Sequence, residues 1–309
     1  MIGTAIAGPL DPPPGPISST GKTIAETEPR TAINAMNTPG DANSAFKITQ
    51  SGSYYLPQSY LILGLFDDLH AIEIAADNVT IDLNGFSLTG LSGALSGIVT
   101  DGGNYQGITI RNGTVQSFDY GIDLDRNTGS NVTLEGLNVV NNDFDGIQIT
   151  SGHIRNCTAS ENGRDGIVAQ SETIIESCKS IDNLQHGIDV GGFCIIRDCI
   201  VRNNGFAGIQ SGQGGLIRDN LVARNGITSQ TLYYAGIRLN GDSVLCHSNV
   251  VTHNYIGITT FFGAVISENI VMNNSINMQT NSGDPGVAGT SGTASGAEAW
   301  DNLVLPSFP

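Results

Sequence analysis

The stretch Gly187-Ile188-Asp189-Val190-Gly191-Gly192-Phe193-Cys194-Ile195-Ile196-Arg197-Asp198-Cys199-Ile200-Val201-Arg202-Asn203-Asn204-Gly205 decides the fold. It contains three short runs, residues 187–190, 194–197 and 200–202, in which aliphatic and polar residues alternate. A period of two is that of a half-buried strand. No run is long enough for a helix. Gly, Asn and Asp fill the intervals, and these residues turn a chain and tolerate positive φ. The stretch therefore reads as three strands joined by tight corners.

The same unit recurs along the chain. Gly followed by an aliphatic residue stands at Gly97, Gly121, Gly146, Gly166, Gly187, Gly208, Gly236 and Gly257, at spacings of 24, 25, 20, 21, 21, 28 and 21. A second series runs Asn142, Asn162, Asn183, Asn204, Asn225, Asn254 and Asn274, and a third Ile154, Ile175, Ile196, Ile217, Cys246 and Ile266. Three short strands cannot bury their apolar face alone, so each unit must stack on copies of itself. The predicted fold is all-β: a single-stranded right-handed parallel β-helix of roughly ten coils, each of three short strands and about 21 residues, spaced about 4.8 Å apart. A leucine-rich horseshoe shares the period but needs a Leu-x-x-Leu-x-Leu framework that is absent, and a propeller needs about twice the period.

The ends differ from the middle. Residues 1–45 read as a Pro-rich arm, with Pro9, Pro12, Pro13, Pro14 and Pro16, followed by an N-terminal cap in which Thr23-Ile24-Ala25-Glu26 has capping-box spacing. Residues 46–280 read as the β-helix and 281–309 as a C-terminal tail or cap, with Trp300 expected to close the last coil. Open ends of a strand stack invite edge pairing, which caps prevent.

Composition narrows the partners. The 309 residues include 40 Gly and only 13 Lys or Arg against 29 Asp or Glu, a formal net charge of −16. That balance works against nucleic acid and against anionic membranes, since both need a basic face. No run of apolar residues approaches the length of a membrane span. Five Cys in a chain this long are not a disulfide framework. Cys157, Cys178 and Cys199 stand 21 apart, with Asn220, Asn249 and Asn269 at the equivalent later positions, which reads as one inward corner filled by small residues rather than a metal site.

Stacking in register turns the repeat into a map of the surface. The outward column after each Gly reads Asp123, Gln148, Val168, Asp189, Gln210, Arg238 and Thr259, and the column before it Tyr120, Asp145, Asp165, His186, Ala207, Ala235 and Ile256. One cluster is mixed, with Asp165, His186, Asp189 and Arg238, and the insertion at residues 227–234 brings Tyr233 and Tyr234 beside it. Removing a proton beside a uronate carboxylate needs a base, a cation to neutralise the carboxylate and an acid on the leaving side. His186 or an Asp would be the base, Arg238 the neutraliser and Tyr234 the acid or a stacking platform. The other cluster is acidic, and Asp123, Asp125, Asp143 and Asp145 could converge on calcium. The plainer readings are a solvated polar face for the first and turn-forming aspartates for the second.

Asp77-Asn78-Val79-Thr80-Ile81-Asp82-Leu83-Asn84-Gly85 resembles the opening coil of bacterial members of the pectate-lyase-like superfamily, and the resemblance extends over about residues 46–280. Tyr120-Gly121-Ile122-Asp123-Leu124-Asp125 is similar to the Tyr-Gly-x-Asp-Pro-His motif of mannuronan C5-epimerases, with Leu124 in place of Pro and Asp125 in place of His. The resemblance implies catalytic roles for Tyr120 and Asp123. It also implies a polysaccharide partner and an exported protein, whether secreted, periplasmic or at the cell surface. The expected activity is that of a polysaccharide lyase or C5-epimerase on an acidic glycan. The alternative is a non-catalytic adhesin or carbohydrate-binding module, monomeric or a tailspike-like homotrimer.

Overall fold

A computed structural model describes residues 28–63, 69–91, 93–125, 131–227, 234–261, 263–280, 298–300 and 303–304. The Pro-rich arm, the capping box at Thr23, Tyr233 and the side chain of Trp300 lie outside the described residues. Among these, every regular element is a strand, and no helix is long and apolar enough to cross a membrane.

Eleven parallel strands, one per coil, form the first sheet: Ser44–Ile48, His70–Ile74, Ser96–Thr100, Tyr120–Leu124, Ile147–Ile149, Ile167–Ser171, Ile188–Gly192, Ile209–Ser211, Ala235–Leu239, Ile256–Thr260 and Ile276–Thr280. The other two strands of each coil, such as Ile195–Arg197 and Ile200–Arg202, join a second sheet that turns a corner between them. That sheet extends at its far end to the short strands Glu298–Trp300 and Leu303–Val304. Register places Ile122, Ile147, Ile167, Ile188, Ile209, Ile237 and Ile258 in one inward column, and Ile154, Ile175, Ile196, Ile217, Cys246 and Ile266 in another. All are buried. Each buried aliphatic side chain contributes about 1.5–3 kcal/mol, and the columns make that burial continuous along the rod.

The repeat glycines do something other than expected. Gly121, Gly146, Gly166, Gly187, Gly208, Gly236 and Gly257 do not have positive φ. They are glycine for lack of room: a Cβ on Gly187 would stand 2.5 Å from Val201 Cγ1 and 2.6 Å from both Asn204 Nδ2 and the Gly208 carbonyl. The left-handed corners fall instead on residues with side chains. Asn141, Glu161, Asp182, Asn203, Arg224, His253 and Asn273 form one column, all with φ between 54° and 59°. Asn156, Ser177, Asp198, Asp219, Ser248 and Glu268 form a second.

Two amide ladders line the inside of the corners. Asn142 Nδ2 donates to Asn162 Oδ1 at 2.9 Å, and the same bond repeats through Asn183, Asn204, Asn225, Asn254 and Asn274 at 2.9–3.2 Å. Asn220, Asn249 and Asn269 form a shorter ladder, to whose first carbonyl oxygen the Cys199 N–H donates at 3.0 Å. Cys157, Cys178 and Cys199 continue that position in the earlier coils, buried and unlinked. Contact with the Cys178 thiol and burial push the Cys157 thiol well above its usual range, which favours the protonated, core-filling form.

On the outside of the second sheet Asp82, Arg111, Glu135, Arg155, Glu176 and Arg197 stand in register with alternating sign. Arg111 pairs with Asp82 at 3.0 Å and Arg155 with Glu135 at 2.9 Å, and Glu176 binds both Arg197 and His153.

Candidate functional site

The outward column of the first sheet has the register expected from the repeat and continues beyond it. It reads Lys47, Glu73, Val99, Asp123, Gln148, Val168, Asp189, Gln210, Arg238, Thr259 and Gln279. Within it, Gln210 links two of the expected site residues. Its Nε2 donates to Asp189 Oδ1 at 2.8 Å, and its Oε1 accepts from Arg238 Nη1. The Arg238 guanidinium lies 5.0 Å from the centre of the Phe261 ring. An anion, a planar amide and a cation thus form one row across three coils, held by strands whose inward residues are locked in the core.

The edge column is built differently. Asp145 Oδ1 accepts the Asp165 N–H at 2.9 Å, Asp165 Oδ1 accepts the His186 N–H at 2.6 Å, and His186 Nδ1 accepts the Ala207 N–H at 3.2 Å. Each side chain caps a backbone donor one coil further on. The Ala207 bond assigns the tautomer of His186: in the neutral ring the proton is on Nε2, so the ring offers a donor rather than a base. Burial lowers the His186 pKa and favours that neutral form, with Asp189 opposing. Burial pushes the Asp165 carboxyl up to about 7, and the charges of Asp145 and Asp189 add to the shift. Asp145, 1% exposed, is also raised by burial, against the pull of Arg164 at 3.5 Å and of Gln148.

Beside this edge the residue before each of these carries an aromatic ring in some coils. Phe206 packs edge-on to His186 at 5.3 Å and to Tyr234 at 5.1 Å, so the expected Tyr234 does join the cluster, through a ring that the repeat alignment did not single out. Phe144 occupies the equivalent position near the other end, 5.0 Å from Tyr120. The signal for Phe206 and Gln210 was present in the same alignment: Gln210 stands in the outward column between Asp189 and Arg238, and Phe206 one position before the edge column.

The four acidic residues read as a calcium site stand in different surroundings. Asp145 is committed to the Asp165 N–H, Gln148 and Arg164. Asp125 accepts from Gln170 at 3.2 Å. Asp123 is buried between Val99 and Gln148, and Asp143 is exposed at a cleft that it lines with Asp119 and Asn141. Among the described residues no three His, Cys, Asp or Glu converge as a metal centre requires. In the epimerase-like motif Tyr120–Leu124 form one strand, Leu124 is buried in the core and Asp125 accepts from Gln170.

A family model for the right handed beta helix region matches residues 96–235 and, in an overlapping match, 153–292. The two matches cover more than half of the chain, and the chain belongs to this family of right-handed parallel β-helix proteins. No curated protein sequence matches it significantly. Among solved structures it is similar to the A-module of the Azotobacter vinelandii mannuronan C-5 epimerase AlgE4, with a TM-score of 0.56 and 14% identity over 82% of this chain and 87% of that one. It is similar to the catalytic domain of a GH87 α-1,3-glucanase in complex with tetrasaccharides, at TM-score 0.60 and 16% identity over 89% of this chain and 58% of that one. The Dettilon tailspike protein aligns at TM-score 0.58 and 16% identity, over 81% of this chain and 61% of that one. At these identities the likeness is one of fold.

Proposed function

We propose that the first sheet is a polysaccharide-binding face and that the row Asp189, Gln210 and Arg238 is its centre. The observation that carries this reading is the juxtaposition of that row with the edge of rings His186, Phe206 and Tyr234. Planar polar groups that hydrogen-bond hydroxyls, beside rings that pack on apolar ring faces, are what a sugar needs. Arg238 supplies the charge complement for a uronate carboxylate. In the finer form of the proposal the protein is a lyase or C5-epimerase on an acidic glycan. Asp189 takes the proton beside the carboxylate, and Tyr234 serves the leaving side or returns the proton. This replaces His186 as base, because its Nδ1 is engaged. The likeness to an epimerase and a glucanase supports a glycan without choosing the reaction.

The test is incubation with alginate, pectin and glycosaminoglycans, with and without calcium, following both binding and the ultraviolet absorbance of unsaturated uronate. Arg238→Ala is expected to weaken uronate binding by about tenfold or more. Deuterium uptake at C5 reports epimerisation. Binding that is unchanged in Arg238→Ala overturns the site. A second reading, a non-catalytic carbohydrate-binding module, is favoured by the use of Asp145, Asp165 and His186 as caps for the next coil. Binding without product formation across the panel selects it.

A further inference from the structure

The first sheet carries a second polar concavity at its other end. A cavity of about 350 Å³ opens over the first three strands and is lined by Asn43, His70, Glu73, Thr100 and Asp101. Glu73 is 4% exposed and held by Lys47 Nζ at 2.6 Å, and Asp41 takes the same ammonium at 2.9 Å. Thr100, 3% exposed, borders the cavity at the end of its strand, with its side chain in the inward column opposite Ile74.

We infer that this cavity is a subsite for a neutral sugar residue of a polymer lying along the first sheet. The lining offers carboxylate, amide and imidazole groups, which suit the mixed donors and acceptors of a pyranose. The ammonium of Lys47, which holds Glu73 beside the cavity, is already shared with Asp41 and so is not available to neutralise a uronate, and Asp101 repels one. Arg238 at the other site has the opposite preference. Glu73 and Asp189 lie five coil steps apart in register, a span of about 24 Å. A single chain bridging both sites would present an acidic residue at Arg238 and a neutral one here, which is a heteropolysaccharide rather than a pure polyuronate. The choice of a shared polymer rests on the glycan reading of the central row, whereas the sugar preference of the cavity stands on its own lining.

Two histidines report on the two sites separately. The ring resonances of His70 and His186 are followed during titration with methyl α-glucoside, with glucuronate, and with hyaluronan and mannuronan oligosaccharides of graded length. Methyl α-glucoside is expected to shift His70 saturably, and glucuronate to bind there at least tenfold more weakly. Asp101→Asn should narrow the gap between the two sugars. Long hyaluronan, which alternates acidic and neutral residues, should move both histidines, and mannuronan of equal length His186 alone. The subsite is overturned if His70 does not respond to the glucoside or if glucuronate matches it. Shifts at His70 without shifts at His186 under any polymer overturn the central row and the bridging chain but leave the subsite standing.

Discussion

Asp165 connects local packing to a pH dependence that can be measured. Its carboxyl titrates near 7 in place of the ordinary 3.8, first because it is buried. Between those values the folded chain holds a proton that the unfolded chain has released, so the group's stabilisation is full at the acid end and is lost as pH rises through about 7. Asp165→Asn keeps an acceptor for the His186 N–H and removes the titration. The melting temperatures of the two proteins should coincide near pH 4 and separate in favour of the variant above about pH 7. A constant offset across that range would show that the carboxyl titrates normally. His186 acts in the opposite sense: its lowered pKa adds stability above about 6.5 that is lost on acidification, so only the difference between the two proteins isolates Asp165. A second comparison concerns the corners. Gly187→Ala should cost about 1–3 kcal/mol or more by overpacking, whereas Arg224→Gly, at φ 57°, should be neutral or stabilise by up to about 1 kcal/mol. Denaturant midpoints decide, and the reverse order would restore the glycines as the turning residues. Sequence gave the positions of these glycines but not their reason, because crowding by the next coil's carbonyl depends on stacking that no single unit displays.

The ladders are the elements on which register depends. In an apolar column a one-coil mismatch changes little, but an amide displaced from its neighbours is left buried and unpaired. Asn183 accepts both the N–H and the Nδ2 of Asn162 and donates to Asn204. Asn183→Ala therefore strands several buried polar groups, at about 1–3 kcal/mol each, and urea unfolding should show a loss of several kcal/mol. Cys199→Asn places a rung next to Asn220 and should leave stability unchanged or raised, whereas Cys199→Leu should lower it. If both Cys199 variants are equally damaging, the position is set by size alone. The Asn series was legible because its period of about 21 is strict in the middle coils. The alternating charges from Asp82 to Arg197 were not, because each ion pair joins residues 20–29 apart on a face that the search for catalytic groups passed over. The Lys47 and Glu73 end of the outward column was missed for a related reason: its steps of 26, 26, 24 and 25 residues to Gln148 hide the period.

As a whole the molecule is a one-dimensional stack in which each coil is stabilised by the coils on either side. Amide hydrogen exchange should be slowest in the coils from Ile147 to Ala223 and faster toward both ends. Uniform protection would instead indicate a single cooperative unit. The longer Asn ladder adds a property that the sheets lack. Every amide-to-amide bond in it runs from one Asn Nδ2 to the Oδ1 of the Asn in the next coil, the Phe118 N–H caps the first Oδ1 at Asn142, and Asn277 Oδ1 receives the last Nδ2 at Asn274. The row of amide-to-amide bonds is a one-way chain closed at both ends, and a unit grafted in reverse could not pass the bond along. The interior thus carries an arrow, and lengthening the rod is compatible with it only by whole coils added in the same sense.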